Sequence, residues 1–368
     1  MSVRVLVILL CLIAGAAAAL SWINYQLAAA DIGPINSVHY EQGVFENTQP
    51  IAAETGSKLA DILYRSLTEE RTAATPVAPL PLTPLTHHQL DALPNNGVFY
   101  VKLGHSTVLL KIDGRYWLTD PMFSERASPF SFMGPKRFHA PALSIEALPP
   151  LAGVLISHNH YDHLDEASIR QLAAKVAMFY VPLGVKAQLV EWGITADQIQ
   201  QFDWWQTTTN AQTTLVFTPS HHFSGRALTD RNSTLWGSWV VRTPNAAVYF
   251  SGDSGYFDGF AEIGRRYGPF DTVFMESGAY SKDWPQVHMQ PAQTVQAFND
   301  VKGRYLVPIH NSTFDLAFHA WYAPLEALDQ LSTQQGVALL TPQFGKIMSA
   351  TEPAATSQWW RPYVQSTD

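Results

Sequence analysis

Apolar residues from Val98 onward occur in short runs bounded by turn residues, a pattern that predicts a β-rich domain. The first runs are Val98–Leu103, Thr107–Ile112 and Arg115–Asp120, and Asp113-Gly114 between the last two is typical of a hairpin turn. The run Gly153–Ser157 has the composition of a buried strand. Further strands are predicted at Phe179–Val181, Leu215–Thr218, Leu235–Val241, Ala247–Ser251, Thr272–Met275 and Arg304–Pro308.

Helical spacing of apolar residues separates many of these strands. Asp165–Lys175 is the clearest case, since its apolar positions follow the period of a helix. Other helices are predicted at Val185–Trp192, Phe260–Tyr267, Pro291–Asn299 and Ala323–Gln335. Strands first, followed by strands mixed with helices, favour an α/β fold with two sheets and helices packed outside them. We therefore expect a single domain over residues 91–350.

The N-terminal segment has a different character. Val5–Leu20 is uninterrupted apolar sequence after Arg4, which predicts either a cleaved signal peptide or a membrane anchor over residues 1–23. We expect the body to be exported, and either anchored facing the periplasm or extracellular side, or periplasmic if the signal is cleaved. Residues 24–90 form a predicted extension that contains the proline-rich Thr75–Thr86, and 351–368 form a predicted C-terminal tail.

Charge and cysteine content restrict the chemistry. The formal net charge is −8 and no run of Lys or Arg is present, which argues against a nucleic-acid partner. Cys11 is the only cysteine, and it lies inside the apolar N-terminal run. The body therefore has no thiol for a disulfide, a cysteine nucleophile or a cysteine-based zinc site. Any metal must be held by His and Asp.

Polar residues follow several of the predicted strands. His158 follows Gly153–Ser157, the pair His221-His222 follows Leu215–Thr218, and Asp253 and His310 follow later strands. Because strand ends at one edge of a sheet sandwich lie close together, these residues are expected to form one site. The pattern H-x-H-x-D-H over His158–His163 places three imidazoles and a carboxylate in six positions, which indicates a metal site.

The donor types fit two metal ions. His158 and His160 with a third imidazole can bind one ion, Asp162 and His163 can bind a second, and Asp253 can bridge them. From chemistry alone the choice between His221 and His222 stays open. Zinc accepts this set of nitrogen and oxygen donors and activates water at neutral pH. We therefore expect Zn2+, two per chain.

The chain resembles the metallo-β-lactamase superfamily, and within it the branch of N-acyl-phosphatidylethanolamine phospholipase D (NAPE-PLD) and its bacterial RomA-type relatives. The resemblance runs over residues 94–314. It rests on LGHSTVLL, LTDPMFSERASPFSFMGPKRF, ISHNHYDHLD, FTPSHHFSGR, LWGSWV, SGDSGY and IGRRYGPFD. The resemblance implies a metallo-β-lactamase αββα sandwich.

The resemblance also implies roles for individual residues. One zinc would be held by His158, His160 and His222, and the other by Asp162, His163 and His310, with Asp253 bridging. His288 matches a family histidine that contacts substrate or assists protonation. The catalytic residues expected on this basis are Asp162, Asp253 and His288. The expected substrate contacts are His288, Glu276 and Tyr280. For Glu276 the expectation comes from its place after an apolar strand, where it is either a carboxylate that contacts substrate or supports a metal-binding residue, or a plain loop acid.

Two segments depart from the branch: MESGAYSKDWPQ (Met275–Gln286), and Asn311-Ser312 after His310. The first expectation is a zinc phosphodiesterase of phospholipase D type that acts on N-acyl-phosphatidylethanolamine-like lipids. Because of the departures, a lactonase or other ester hydrolase on a small substrate is the alternative. A binding-only envelope protein is disfavoured by the complete set of seven ligands. The sequence does not predict an oligomeric state.

Three further features of the sequence each allow two roles. Phe130, Phe132 and Met133, beside Lys136 and Arg137, can meet a membrane surface with anionic headgroups, or serve as a conformational motif. His105 is expected either to make structural hydrogen bonds or to point into the site. Asp120 is expected to anchor its loop, with a hydrogen bond to a metal-binding histidine as the alternative.

Overall fold

The computed structural model describes residues 15, 18, 21–28, 32–51, 60–62, 64–65 and 68–364. The strands in chain order are β1 (Tyr40–Glu41), β2 (Val44–Phe45), β3 (Val98–Gly104), β4 (Thr107–Ile112), β5 (Arg115–Thr119), β6 (Leu151–Leu155), β7 (Phe179–Pro182), β8 (Ile199–Phe202), β9 (Thr207–Asn210), β10 (Thr213–Thr218), β11 (Ser238–Arg242), β12 (Ala247–Phe250), β13 (Phe270–Glu276), β14 (Gly303–Ile309) and β15 (Ile347–Ser349). The α-helices that lie wholly within the described residues and are used below are α1 (His87–Asp91), α2 (Glu166–Leu172), α3 (Val185–Glu191), α4 (Gly259–Tyr267), α5 (Pro291–Asp300) and α6 (Ala323–Gln335).

Two large mixed sheets form the centre of the molecule. A seven-stranded sheet has the order β15-β3-β4-β5-β6-β7-β8, and a six-stranded sheet has the order β14-β13-β12-β11-β10-β9. Strands β5 to β8 are mutually parallel, as are β12 to β14. Parallel neighbours end at the same edge, so residues that follow these strands are brought to one side of each sheet.

The hydrophobic residues divide into layers. One cluster lies between the sheets and joins side chains such as Tyr100 and Trp117 of the first sheet to Phe217 and Phe250 of the second. A second cluster packs α2 and α3 against the outer face of the seven-stranded sheet. A third packs α4, α5 and α6 against the outer face of the six-stranded sheet. The order of layers is helix, sheet, sheet, helix, and the predicted αββα sandwich is confirmed.

Segments outside the two sheets also contribute buried side chains. Phe45, in the β1–β2 hairpin, has no exposed surface and belongs to the cluster between the sheets. Its backbone N–H donates to the carbonyl of Asn232, 2.8 Å away. Leu80 of the proline-rich segment and Trp360 near the C-terminus lie in one smaller cluster. Segments that precede and follow residues 91–350 in the chain are therefore packed against the sandwich.

The predicted signal or anchor at residues 1–23 lies almost wholly outside the described residues. Residues 21–27 are helical, and the Asn24 side chain bonds the backbone N–H of Leu228 and the hydroxyl of Thr229. Within the part of the chain that the structure describes, no helix combines the length and apolar character needed to cross a bilayer.

Replacing Phe45 by alanine tests how strongly the N-terminal hairpin supports the domain. Loss of a fully buried phenylalanine leaves a cavity between the sheets, so the free energy of unfolding should fall by about 3–5 kcal/mol. Val38→Ala is the matched control, because the Val38 side chain is 94% exposed and its removal should cost less than about 0.5 kcal/mol. Denaturant unfolding measures both. An equally small change for the two variants would contradict a structural role for the hairpin.

Candidate metal centre

Strand ends from both sheets meet at one edge of the sandwich. Seven of the site residues lie at, or within four residues after, the end of a strand. The residues and the strands they follow are His105 (β3), Asp120 (β5), His158 (β6), His222 (β10), Asp253 (β12), Glu276 (the last residue of β13) and His310 (β14). The sequence interpretation, that polar residues after apolar strands converge, agrees with this geometry.

Three imidazoles form one half of the site. His160 Nδ1 lies 2.9 Å from His158 Nε2 and 3.2 Å from His222 Nε2. Asp253 Oδ2 lies 3.8 Å from both of these Nε2 atoms. All four side chains present a donor atom to a common centre. His160 uses Nδ1 where the other two use Nε2.

Two carboxylates and two further imidazoles form the other half. Asp162 Oδ2 lies 3.1 Å from His310 Nε2 and 3.4 Å from His163 Nε2. Asp253 Oδ1 lies 3.1 Å from His163 Nε2, and Asp253 Oδ2 lies 3.0 Å from His310 Nε2. Asp253 therefore lies between the two halves, with its carboxylate directed to both.

Asp120 holds two of these histidines from behind. His163 Nδ1–H donates to Asp120 Oδ2 over 2.7 Å. The Ser157 hydroxyl donates to the same oxygen over 2.6 Å and is 2.9 Å from His158 Nδ1, from which it can accept. In each ring a proton on Nδ1 leaves the Nε2 lone pair directed into the site. Asp120 thus anchors its loop through Ser157 and also contacts a predicted ligand.

The remaining ring orientations are fixed in the same way. His222 Nδ1–H donates to the Val287 carbonyl over 3.0 Å, which leaves Nε2 facing the centre. His105 is buried, and its Nε2–H donates to Asp162 Oδ2 over 2.9 Å. His105 therefore points into the site and orients a predicted ligand. Of the two roles expected for His105, the geometry agrees with the second.

Charge differs between the two halves. Burial lowers the pKa of His160 to about 4 and lowers that of His158 and His222 well below the usual value, so these imidazoles are neutral. Burial also acts to lower the pKa of His310, but Asp253 and Asp162 raise it to about 10. The two carboxylates therefore make the acidic half of the site favourable for positive charge.

The backbone is strained where it turns into the site. His105, Asp120 and His310 have φ values of 49°, 33° and 62°, in the left-handed region that residues with a Cβ seldom adopt. Strain of this kind costs about 1–3 kcal/mol per residue and is concentrated at functional sites. Gly278 meets a related constraint, because a Cβ there would lie 1.9 Å from the carbonyl oxygen of His310.

The residues fit bound metal ions. Among buried polar atoms, His163 Nε2 and Asp253 Oδ1 have no hydrogen-bond partner, although they face each other. Neutral imidazole lone pairs and ionised carboxylates directed to common points are the donors that Zn2+ and similar ions accept. A cation would pair the atoms that lack partners and offset the two carboxylates.

A buried Glu–His pair adjoins the convergent donor atoms. Glu276 Oε1 lies 2.5 Å from His288 Nδ1, and Oε2 accepts the backbone N–H of Ser254 over 3.1 Å. Burial raises the pKa of the Glu276 carboxyl, while His288 acts in the opposite direction. The His288 ring stacks on His310 at a centroid distance of 5.2 Å.

Other predicted residues lie at different distances from the centre. His221 stacks on Phe257 with its ring centroid 6.0 Å away, and lies outside the groups of convergent donor atoms. Tyr280 stacks on His319 at 4.3 Å, next to the site and not within it. The sequence left open which of the adjacent His221 and His222 is a ligand. In the structure it is His222 that faces the centre.

A cavity of about 440 Å³ opens onto the convergent side chains. Its described lining is mainly apolar and includes an arginine, Arg231, which none of the sequence motifs indicates. The lining residues are Ile51, Ile62, His160, Asp162, Phe223, Arg231, Asp253, Ala279, Trp284, Val287, His288, His310 and Leu316. Neither Glu276 nor Tyr280 is among them.

Fold and site together define a metal-dependent hydrolase, and comparison with known proteins agrees. The model of the beta-lactamase superfamily domain matches residues 115–311. An isothiocyanate hydrolase from Delia radicum gut bacteria has a similar fold, with a TM-score of 0.56 at 18% identity over 68% of this chain and 98% of that one.

Proteins found by sequence comparison have higher identity to this chain. An uncharacterized protein of Mycobacterium tuberculosis is 40% identical over 330 residues, which are 88% of this chain and 88% of that protein. The N-acyl-phosphatidylethanolamine-hydrolyzing phospholipase D 1 of Caenorhabditis elegans is 32% identical over 274 residues, which are 70% of this chain and 77% of that protein. The chain belongs to the metallo-β-lactamase superfamily, and its predicted resemblance to the NAPE-PLD branch is confirmed.

Changing Asp120 to asparagine tests the hydrogen bonds that orient the predicted ligands. Because the amide cannot accept two donors with the strength of a carboxylate, zinc affinity should fall by about 10- to 100-fold. Competition with a chromophoric chelator measures the affinity. Asp91→Asn, at an exposed position at the end of α1, is the control and should leave the affinity unchanged. Equal affinities for the two variants would show that Asp120 stabilises only the conformation of its loop and does not support metal binding.

Proposed function

We propose that the protein is a dinuclear zinc hydrolase of phospholipase D type that cleaves a phosphodiester in N-acyl-phosphatidylethanolamine-like lipids. The observation that carries the proposal is the relationship to the C. elegans enzyme over 77% of that protein's length. Residues 91–350 are the proposed catalytic domain. The cavity and the convergent donor atoms support the proposal independently of the relationship.

The proposed ligands fall into the two halves described above. His158, His160 and His222 would hold one zinc, Asp162, His163 and His310 the other, and Asp253 would bridge. Zinc, when bound, supplies a water that is activated at neutral pH and positive charge for phosphoryl oxygens. The protein's own part is to keep the donor atoms oriented, which the hydrogen bonds of Asp120, His105 and Val287 do.

The cavity suits a lipid phosphodiester. Ile51, Ile62, Phe223, Trp284 and Leu316 give it apolar walls against which hydrocarbon can pack. The Arg231 guanidinium lies 4.6 Å from the centre of the Phe223 ring and provides a positive charge at the same cavity. A substrate with one negatively charged phosphodiester and long acyl chains complements both properties.

Proton transfers are assigned to two residues that line the cavity. Hydrolysis adds water across the phosphorus–oxygen bond, so the water must lose a proton and the departing alcohol must gain one. We assign acceptance of the first proton to Asp162 and donation of the second to His288 Nε2–H. A positioned acid or base of this kind contributes about 10²–10⁴-fold to the rate.

A lactonase or other ester hydrolase remains the second candidate, and one observation favours it. Ala279 and Trp284 line the cavity, and both belong to Met275–Gln286, where the sequence departs from the phospholipase D branch. A changed wall would suit a changed substrate while the metal-binding residues stay the same.

The proposal includes an exported protein that works at a membrane surface. Phe132 is 75% exposed and Met133 is also exposed, although both are apolar. The nearby Lys136 ammonium pairs with Glu125 at the surface, so cationic and apolar side chains occur together in this loop. The apolar Val5–Leu20 further supports the location by its composition.

Lipid turnover by the zinc-loaded full chain in detergent-doped liposomes tests the function. N-acyl-phosphatidylethanolamine should yield N-acylethanolamine and phosphatidate, measured by mass spectrometry. Asp253→Asn should lower the rate by more than about 100-fold, because it removes a carboxylate directed to both halves of the site. Asp91→Asn is the control. Turnover of a lactone without release of N-acylethanolamine would favour the second candidate.

The membrane surface is tested with an environment-sensitive fluorophore on cysteine, in a Cys11→Ser background. A label on Phe132→Cys should shift to the blue with vesicles that contain anionic lipid, since the side chain would enter the interface. A label on Val38→Cys, 94% exposed in the native chain, is the control and should not shift. Vesicle-bound protein with an unchanged Phe132→Cys spectrum would refute the assignment of this loop.

A further inference from the structure

Glu276 is a carboxylate with no exposed surface at the end of β13. A buried carboxylate is costly unless its oxygens are hydrogen-bonded. Both oxygens here have donors: Oε1 is 2.5 Å from His288 Nδ1, and Oε2 accepts from the backbone of Ser254 at 3.1 Å and of Met289 at 3.5 Å. The carboxylate is thus fully engaged within the protein and does not line the cavity.

His288 stands between this carboxylate and the cavity. Its ring lies 5.2 Å from the ring of His222 and 5.2 Å from that of His310, measured between centroids. Because Nδ1 is held by Glu276, Nε2 is the nitrogen left for the cavity that His288 lines. The two neighbouring rings and one hydrogen bond together set the direction of Nε2.

Glu276 also joins two separate parts of the site. Ser254, whose N–H it accepts, directly follows Asp253, and Met289 directly follows His288. The carboxylate therefore fixes the loop of the bridging Asp253 relative to the loop of His288. A shift in either loop changes the distance between Asp253 and the His288 ring.

We propose that Glu276 is a positioning residue that acts on the substrate only through His288. It holds the Nδ1–H side of the imidazole, so that Nε2–H faces the departing oxygen and gives it a proton as the phosphorus–oxygen bond breaks. This inference rests on the proposed function for the identity of the leaving group.

One rival arrangement uses the same contacts. A His288 nitrogen lies within 4.8 Å of donor atoms of Asp253 and His310, so His288 could be a metal ligand with Glu276 behind it. The two arrangements differ in metal content. Loss of a positioning residue leaves both metals bound, whereas loss of a residue behind a ligand weakens metal binding by about 10- to 100-fold.

The test compares Glu276→Gln, His288→Ala and the double variant on two phosphodiesters, one with an alkyl and one with a nitrophenyl leaving group. For the alkyl ester, kcat of Glu276→Gln should fall about 10- to 100-fold with little change in KM. In the His288→Ala background the same change should have no further effect. The nitrophenyl ester needs no proton on departure, so its kcat should stay within about threefold for all three variants.

Metal content by elemental analysis and folding by circular dichroism accompany each rate. Both should match the native protein for Glu276→Gln, as they should for the exposed control Glu352→Gln. Loss of metal from Glu276→Gln, or additive effects in the double variant, would overturn the proposal. If the native protein cleaves neither diester but opens a lactone, the proposed function fails, and the non-additivity measured on the lactone still decides the role of Glu276.

Discussion

The hydrogen bonds to the Asp120 carboxylate are the interaction on which the rest of the site depends. Asp120 has no exposed surface, and it accepts from the Ser157 N–H, the Ser157 hydroxyl and His163 Nδ1. These contacts tie the end of β5 to the loop after β6, from which four of the proposed ligands come. Without a fixed partner, the buried imidazoles could choose either tautomer, and the donor atoms would not converge.

Packing of the two sheets brings the other site residues next to the loop that Asp120 holds. One sheet carries the loop with His158 to His163, and the other carries Asp253, Glu276 and His310 at the ends of parallel strands. Packing of the apolar faces between the sheets sets the distance between these two groups. Core residues far from the cavity therefore determine how closely the donor atoms from the two sheets approach each other.

The sandwich and the grouping of the proposed ligands into one site could both be predicted from the sequence. The reason is that clearly apolar strands end directly before the polar residues. The apolar pattern missed β9, since Thr207–Asn210 has no apolar residue and depends on pairing with β10. It also missed β8, whose sequence IQQF has only apolar ends. The inward direction of His105 depends on a left-handed turn at φ 49°, and the Glu276–His288 pair depends on tertiary packing. Neither leaves a periodic signal in the chain.

The N-terminal hairpin has a consequence for the order of folding. Phe45 is synthesised early, yet its backbone partner is Asn232, and its packing partners include strands of both sheets. At the other end, β15 completes the edge of the first sheet by pairing with β3. Contacts between such distant parts of the chain form slowly and late. β15 can pair with β3 only after about 350 residues have been made, so until then the outer edge of β3 stays unpaired and open to pairing with another chain.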